Sequence, residues 1–178
     1  YAREKTGVGR KVDTSLMAGA LLFAPKVSED NTAEQRPQPR ATVGGGPFYS
    51  AFECGDGAWV QLGCVHSRFV QLAASVLGIK DKMADPKFGD GRSIPTEEAR
   101  KELFGIVADA IKTRPYEEWA PLLEEADVPY AAVSTTQEAM EDPQVRLNDM
   151  VMQQDDPVVG AMSYMGLPVK LTGTPGKV

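Results

Sequence analysis

Alternating apolar positions on either side of a glycine-rich turn predict a β-hairpin. The apolar-facing residues are Phe48, Ser50, Phe52 and Cys54 on the first strand and Val60, Leu62 and Cys64 on the second. A three-residue loop, Gly55-Asp56-Gly57, pairs Phe52 with Val60, whereas a two-residue loop would pair apolar with polar side chains. We therefore predict the three-residue loop, with glycine in its left-handed position and Phe48 opposite Cys64.

The residues after the hairpin change to helical spacing. The inward side of the predicted helix carries Phe69, Leu72, Ala73 and Val76. His66 or Ser67 is placed to cap this helix, and Gly78 to end it. The only histidine of the chain thus lies at a helix N-terminus, where unpaired N–H groups and the helix dipole suit an anionic or oxyanionic ligand.

Two further amphipathic helices are predicted in the second half of the chain. Thr96 starts the first and Pro115 opens the second. Their inward side chains are Leu103, Val107, Ala110 and Ile111, then Trp119, Leu122 and Leu123. Ser134 followed by Gln137 fits a capping box for a brief helix that ends near Glu141.

Short strands complete the pattern. We predict one at residues 11–13, one at 128–133, and a pair at 151–153 and 162–164. The nearly all-apolar run 15–23 predicts a buried helix that needs partners on most of its sides. Residues 25–40 have three prolines, many charges and no periodicity, which is typical of a linker or extended arm.

Composition narrows the functional classes. A net charge of -6 and a pI near 4.9 argue against a general nucleic-acid or membrane-surface role, since both need basic patches. No apolar run approaches the roughly 18 residues of a membrane span. The chain begins with Tyr1 and shows no leader pattern, so we expect it to be an excerpt of a longer, cytoplasmic protein. At this level the prediction is an acidic α+β domain.

Cysteine and histidine usage predicts neither a disulfide framework nor a metal site. Cys54 and Cys64 would lie roughly 20 Å apart on the hairpin, beyond the reach of a disulfide, so we interpret them as small core residues. A single histidine without a CxxC motif excludes the usual zinc sites.

The residues alone leave the roles of the three glycines and of His66 undecided. Gly44, Gly45 and Gly46 are either a flexible lead into the hairpin or a loop that approaches a ligand closely and can move as a lid. His66 is either a polar cap on an exposed turn or a functional group. No nucleophile–base pair stands out, because Asp155-Asp156 and Glu124-Glu125 are adjacent and point in different directions.

Collinear motifs over almost the whole chain carry a resemblance to a known superfamily. They are TGVGRKVDTSL, GGGPFY, DGAWVQLG, LGI with DPKF, VPYAAVSTTQEAMEDPQV with a later methionine, and GTPG. Together they resemble the class III CoA-transferase superfamily, which includes formyl-CoA and carnitine CoA-transferases and α-methylacyl-CoA racemases.

The resemblance implies an α/β architecture and an interlocked homodimer. Residues 1–24 would be the last strand and helix of a large Rossmann-like domain, which would supply partners for the apolar helix from upstream. Residues 25–40 would be a linker and residues 41–165 a small α/β domain with a mainly antiparallel sheet and flanking helices. Residues 166–178 would begin the return linker.

The resemblance also implies the chemistry. The family's catalytic aspartate, which carries an anhydride and then a CoA thioester, would lie shortly upstream of Tyr1, as would most residues that grip the coenzyme A. Gly44 to Gly46 match the glycine-rich loop that closes over the active site. His66 falls about where the racemases carry an acid/base glutamate, and this departure favours a transferase. Glycine would be usual near Asn148 and Asp127.

Three hypotheses follow. The leading one is CoA transfer between an acyl-CoA thioester and a carboxylic acid, with coenzyme A as part of the substrate and no metal. The second is an acyl-CoA racemase that uses His66 as one base. The third is a non-catalytic fragment, motivated by a chain that would lack its nucleophile.

Overall fold

The computed structural model describes residues 1–23, 45–158 and 160–176. The predicted linker at 25–40 and Gly44 lie outside the described residues. The chain divides into two compact units, Tyr1–Arg36 with Ser134–Val178, and Pro37–Val133. The predicted domain limits at residues 24, 40 and 165 stay a prediction.

The fold is α/β, with helices around small antiparallel sheets. The second unit contains β2 (Ala51–Glu53), β3 (Trp59–Leu62), α3 (Ser67–Val76), α4 (Glu97–Ile111), α5 (Tyr116–Glu125) and β4 (Tyr130–Ala132). The first unit contains α1 (Ala2–Thr6), β1 (Val12–Thr14), α2 (Leu16–Phe23), α6 (Thr136–Glu141), α7 (Pro143–Leu147), β5 (Val151–Asp156), β6 (Gly160–Met165) and β7 (Val169–Leu171).

The hairpin register is confirmed. Phe52 lies opposite Val60, and the Cys64 N–H donates to the Phe48 carbonyl at 3.0 Å. The Cys54 N–H donates across the loop to the Ala58 carbonyl at 2.7 Å, which leaves residues 55–57 as the loop, with φ 83° at Gly57. Strand β4 joins the other side of β3 and gives the order β2-β3-β4.

Helices α3, α4 and α5 cover this sheet and form the core with it. The Thr96 hydroxyl caps α4 by accepting from the Ala99 N–H at 3.1 Å, as predicted. The fully buried side chains include Val60, Leu62, Val70, Leu103, Val107, Ile111 and Leu123. Trp119 is 3% exposed, and its indole N–H donates to the Ile111 carbonyl at 2.7 Å, so it is a core residue, as the periodicity predicted.

Two aspartates occupy backbone conformations that favour glycine. Asp127 has φ 56° and Asp149, next to Asn148, has φ 48°. Asp127 follows the C-cap residue of α5, Ala126, and the Val128 N–H donates back to the Leu123 carbonyl at 3.0 Å. These are the two places where the resemblance implied glycine, and the left-handed backbone supplies the physical reason.

Asp127→Gly is expected to raise the free energy of unfolding by up to about 1 kcal/mol, because glycine adopts the left-handed conformation without a Cβ penalty. The loss of the exposed Arg68–Asp127 ion pair at 3.3 Å offsets little of this gain. Chemical denaturation of Asp127→Gly measures the net change, and that of Arg68→Ala, which removes the ion pair and the guanidinium contact with Phe69, gives an upper limit for the loss of the ion pair. Destabilisation by Asp127→Gly beyond the Arg68→Ala value would contradict the prediction.

The first unit pairs β1 with β7 and β5 with β6, both antiparallel. The predicted pairing of 151–153 with 162–164 is confirmed, with Met152 opposite Tyr164. The expected burial of the apolar helix is not met within the described residues. Ala18 packs with Val145 and Met150, but Leu16 is 95% and Leu22 60% exposed. The described neighbours cover one side of α2 only.

The predicted capping box is wrong by one residue. Thr135, not Ser134, caps α6: its hydroxyl accepts from the Glu138 N–H at 3.2 Å, and the Glu138 carboxylate accepts from the Thr135 N–H at 2.7 Å. A glutamate at the third helical position supplies a charged acceptor, which makes a stronger hydrogen bond than the glutamine amide that Ser134 would use. Asp142 caps α7 through its carboxylate, which accepts from the Gln144 N–H at 2.7 Å and the Val145 N–H at 3.1 Å.

Thr135→Ala is expected to lower the free energy of unfolding of its unit by about 1 kcal/mol, because a helix N–H loses its side-chain acceptor. Ser134→Ala is the matched control and is expected to change it by less than about 0.5 kcal/mol. Urea denaturation followed by circular dichroism compares the two. Equal effects, or a larger effect at Ser134, would contradict the observed register.

Among residues 1–23, 45–158 and 160–176, no helix has both the length and the apolar character needed to cross a bilayer.

Candidate functional site

The described part of the glycine loop is a packed turn that leads into β2. Gly45 is buried, and a Cβ at this position would overlap the Tyr49 carbonyl oxygen. The Gly46 carbonyl accepts from the Tyr49 N–H at 2.8 Å and from the Ser50 hydroxyl at 3.1 Å. A Cβ at Gly46 would meet no heavy atom within 4 Å. Of the two glycines of this loop that the structure describes, Gly45 alone requires glycine for steric reasons.

His66 lies at the start of α3, as predicted. It is the N-cap residue, with extended backbone angles of φ -126° and ψ 149°, and its side chain makes no capping hydrogen bond. The imidazole is exposed, and its ring centre lies 6.1 Å from that of Phe69. An exposed imidazole at this place is accessible to a ligand, and its assigned role in acid/base chemistry stays a prediction.

A pocket of about 290 Å³ brings the glycine turn close to the start of α3. It is lined by Gly46, Phe48, Tyr49, Cys64, Val65, Gly91, Arg92 and Ser93. His66 directly follows Val65 in the chain. Among these lining residues, Arg92 is the one that carries a full charge at neutral pH. The pocket lining therefore combines polar and apolar surface with one cationic residue.

Asp90 connects the loop that contains Arg92 to the start of α3 through hydrogen bonds. Its carboxylate accepts from the Ser93 N–H at 2.7 Å, the Arg92 N–H at 2.9 Å and the Ser67 hydroxyl at 3.0 Å. These hydrogen bonds hold the pKa of Asp90 below its usual value, and the one from the Ser93 N–H has the largest effect. Asp90 therefore stays ionised at neutral pH. Sequence reasoning assigned no role to Asp90 or Arg92.

Burial makes the two cysteines poor nucleophiles. Cys54 and Cys64 are both free and buried, which confirms them as core residues. Desolvation by burial raises the pKa of each thiol to about 11, and the nearby Asp56 and Glu53 add to the effect at Cys54. Although Cys64 lines the pocket, its thiol is neutral at physiological pH.

In the native protein both thiols are expected to react slowly with iodoacetamide at pH 8, where about one in a thousand is ionised. In denaturant both are expected to react fully, as counted by intact mass. Because the folded pKa lies above the unfolded one, stability falls as pH rises above about 9, where the unfolded thiols ionise first. Rapid alkylation of the native protein at pH 8 would contradict this burial.

The described residues contain no group of three or more histidine, cysteine, aspartate or glutamate side chains arranged to hold a metal ion. The pocket lies beside the glycine turn and the start of α3, with Arg92 in its lining.

Comparison with known proteins places the chain in a family. The family model for CoA-transferase family III matches residues 1–178, and the chain belongs to that family. It is 26% identical over 176 residues to cinnamoyl-CoA:phenyllactate CoA-transferase from Clostridium sporogenes, covering 95% of this chain and 42% of that protein. It is 23% identical over 143 residues to alpha-methylacyl-CoA racemase from Mus musculus, covering 79% of this chain and 36% of that protein.

The fold has a counterpart among solved structures. The orthorhombic crystal structure of Rv3272 from M. tuberculosis matches with a TM-score of 0.55 at 19% identity, covering 92% of this chain and 40% of that one. The chain spans about two fifths of the length of the curated relatives it matches.

Proposed function

We propose that the complete protein transfers coenzyme A between an acyl-CoA thioester and a carboxylic acid. The family match over residues 1–178 carries this proposal. The names of two relatives, cinnamoyl-CoA:phenyllactate and succinyl-CoA:glutarate CoA-transferase, support it, since each names a CoA donor and an acid acceptor. The pocket beside Gly46 and the start of α3 is where this chain would contribute to the reaction.

The proposed chemistry balances through one carboxylate nucleophile. An aspartate upstream of Tyr1 attacks the thioester carbonyl, the carbon–sulfur bond breaks, and CoA leaves as a thiolate, giving a mixed anhydride. The thiolate then attacks the aspartyl carbonyl of the anhydride and releases the first acid. The acceptor carboxylate attacks the resulting aspartyl thioester, and the freed thiolate takes the new acyl group from the second anhydride.

In this proposal residues 44–46 shield the covalent intermediates from water. Anhydrides and thioesters hydrolyse readily, so the active site has to exclude water while they exist. Gly46 lines the pocket, and the turn that follows it is anchored by the Tyr49 N–H and the Ser50 hydroxyl. A loop hinged on this anchored turn could close over the pocket as a lid.

The test uses the complete protein, incubated with an acyl-CoA and then denatured for intact mass measurement. We expect an increase that matches bound CoA or the acyl group and that hydroxylamine removes, because it cleaves thioesters and anhydrides. A labelled free acid should also appear in the acyl-CoA pool. If neither an adduct nor exchange of label is detected, the transferase proposal fails, and the racemase and non-catalytic hypotheses remain.

A racemase is the second candidate, because alpha-methylacyl-CoA racemases are among the relatives. Here His66 would act as one base for the α-proton of the acyl-CoA. In heavy water, deuterium should then enter the α-carbon, and His66→Ala should slow its entry at least about 100-fold. Arg68→Ala, on the exposed side of the same helix, is the matched control. A transferase without racemase activity would incorporate no deuterium.

The proposed assembly is a homodimer, carried over from the resemblance. Light scattering of the complete protein in solution should give twice the mass of its chain. A monomer that retains CoA transfer would remove the dimer from the proposal without affecting the reaction.

A further inference from the structure

The pocket beside the glycine turn is suited to a short carbon chain that ends in an anion. Its volume, about 290 Å³, is at the lower end of typical small-molecule pockets. Phe48, Tyr49 and Val65 supply apolar wall, and Arg92 supplies the charge. A guanidinium binds a carboxylate with two parallel hydrogen bonds, which fixes orientation as well as charge.

The backbone that carries Arg92 is fixed from two sides. On one side, Asp90 accepts hydrogen bonds from the backbone N–H groups of Arg92 and Ser93 and from the Ser67 hydroxyl, which ties the loop to the start of α3. On the other side, the preceding Gly91 has φ 79° and lies against the core. A Cβ there would come within 2.7 Å of Val70 Cγ1 and 2.9 Å of Met83 Cε. Arg92 therefore projects from an anchored loop.

Building on the function proposed above, we propose that Arg92 binds a carboxylate at the end of the acyl group remote from the thioester. The preferred substrates are then short dicarboxylic acids and their CoA thioesters. The terminal carboxylate pairs with the guanidinium, and the carbon chain lies against the aromatic and aliphatic wall. The reacting carbonyl is thereby held beside the glycine turn.

The phosphates of coenzyme A are the other anions this arginine could meet. They carry several charges, and their recognition generally uses more than one cation or a helix N-terminus. The lining of this pocket offers one guanidinium among neutral residues, and much of its wall is apolar. A single carboxylate on a carbon chain matches that combination better, because the chain gains contact with the apolar wall.

Asp90 acts in this proposal as a positioning residue. Its three hydrogen bonds hold the loop in the geometry that directs Arg92, but it does not itself contact the substrate. Asp90→Asn keeps the size of the side chain and weakens these bonds. Asp90→Asn should raise the KM for dicarboxylic substrates, as Arg92→Gln does. Asp90→Glu keeps the carboxylate and should raise this KM less than Asp90→Asn.

The experiment compares succinyl-CoA with butyryl-CoA, which differ in the terminal carboxylate, as CoA donors for the complete protein. In the wild type we expect kcat/KM to favour succinyl-CoA at least tenfold. Arg92→Gln should raise the KM for succinyl-CoA about tenfold or more and leave butyryl-CoA within twofold. Arg68→Gln, an exposed arginine outside the pocket, is the control and should change neither substrate.

The outcomes separate this proposal from the one it rests on. Equal weakening of succinyl-CoA, butyryl-CoA and free CoA by Arg92→Gln would assign Arg92 to the phosphates and overturn the proposal. No discrimination by the wild type would also overturn it. If the protein transfers no CoA, calorimetric titration with the two thioesters still decides, because tighter binding of succinyl-CoA that Arg92→Gln abolishes would support the carboxylate site.

Discussion

Gly45→Ala is expected to lower the free energy of unfolding of the unit 45–133 by about 2 kcal/mol or more. The added Cβ would overlap the Tyr49 carbonyl oxygen and crowd the Ser50 hydroxyl, so the backbone of the turn would have to move. Because this turn anchors the lid proposed above, activity of the complete protein should fall together with stability. Thermal and urea denaturation measure the first effect, and the CoA-transfer assay measures the second.

Gly46→Ala is the matched control for the stability effect. Its backbone φ is not in the left-handed region, and a Cβ there meets open space, so a change within about 0.5 kcal/mol is expected. If the two alanine variants were equally stable, the close packing of Gly45 would not exist in solution, and the distinction between the two glycines would have to be abandoned.

Trp119→Ala is expected to lower the free energy of unfolding by about 3–5 kcal/mol, enough to unfold a domain of ordinary stability. The indole is almost fully buried between α4 and α5, and its N–H satisfies the carbonyl of Ile111, the last residue of α4. Trp119→Phe keeps most of the apolar volume and loses the hydrogen bond, so it should cost less.

Trp59→Ala provides the comparison for the same change at a partly exposed site. It should destabilise clearly less than Trp119→Ala, and intrinsic fluorescence of each single-tryptophan variant follows unfolding. A smaller loss at Trp119 than at Trp59 would show that the indole contributes little to the core.

Sequence signals within a few residues were sufficient to predict the central hairpin and the long helices. The Gly55-Asp56-Gly57 loop admits one register that pairs apolar with apolar residues, and the structure has Phe52 opposite Val60. Thr96 precedes two acidic residues and a periodic apolar pattern, and it caps α4. In both cases all the information lies within a few residues of the feature.

The errors arose where neighbouring residues compete or where the partner is distant. Ser134 with Gln137 and Thr135 with Glu138 are both capping boxes by pattern, and the stronger charged acceptor decides between them. Arg92 is a candidate for binding an anion because a hydrogen bond between Ser67 and Asp90 holds its loop against α3. Ser67 and Asp90 are 23 positions apart, and no sequence pattern predicts a hydrogen bond between them. Pocket formation by the glycine turn and residues 91–93 depends likewise on tertiary contacts.

The pairing of β1 with β7 has a consequence for the order of events during synthesis. Thr14 donates its hydroxyl to the Pro168 carbonyl, 154 positions further along the chain, and Val12 lies opposite Leu171. The ribosome must therefore release residue 171 before this strand pair can form, whereas every strand and helix of the unit 45–133 is available earlier. Closing so long a loop is also entropically slow. The unit 45–133 should thus form first, while β1 waits for β7 to be synthesised.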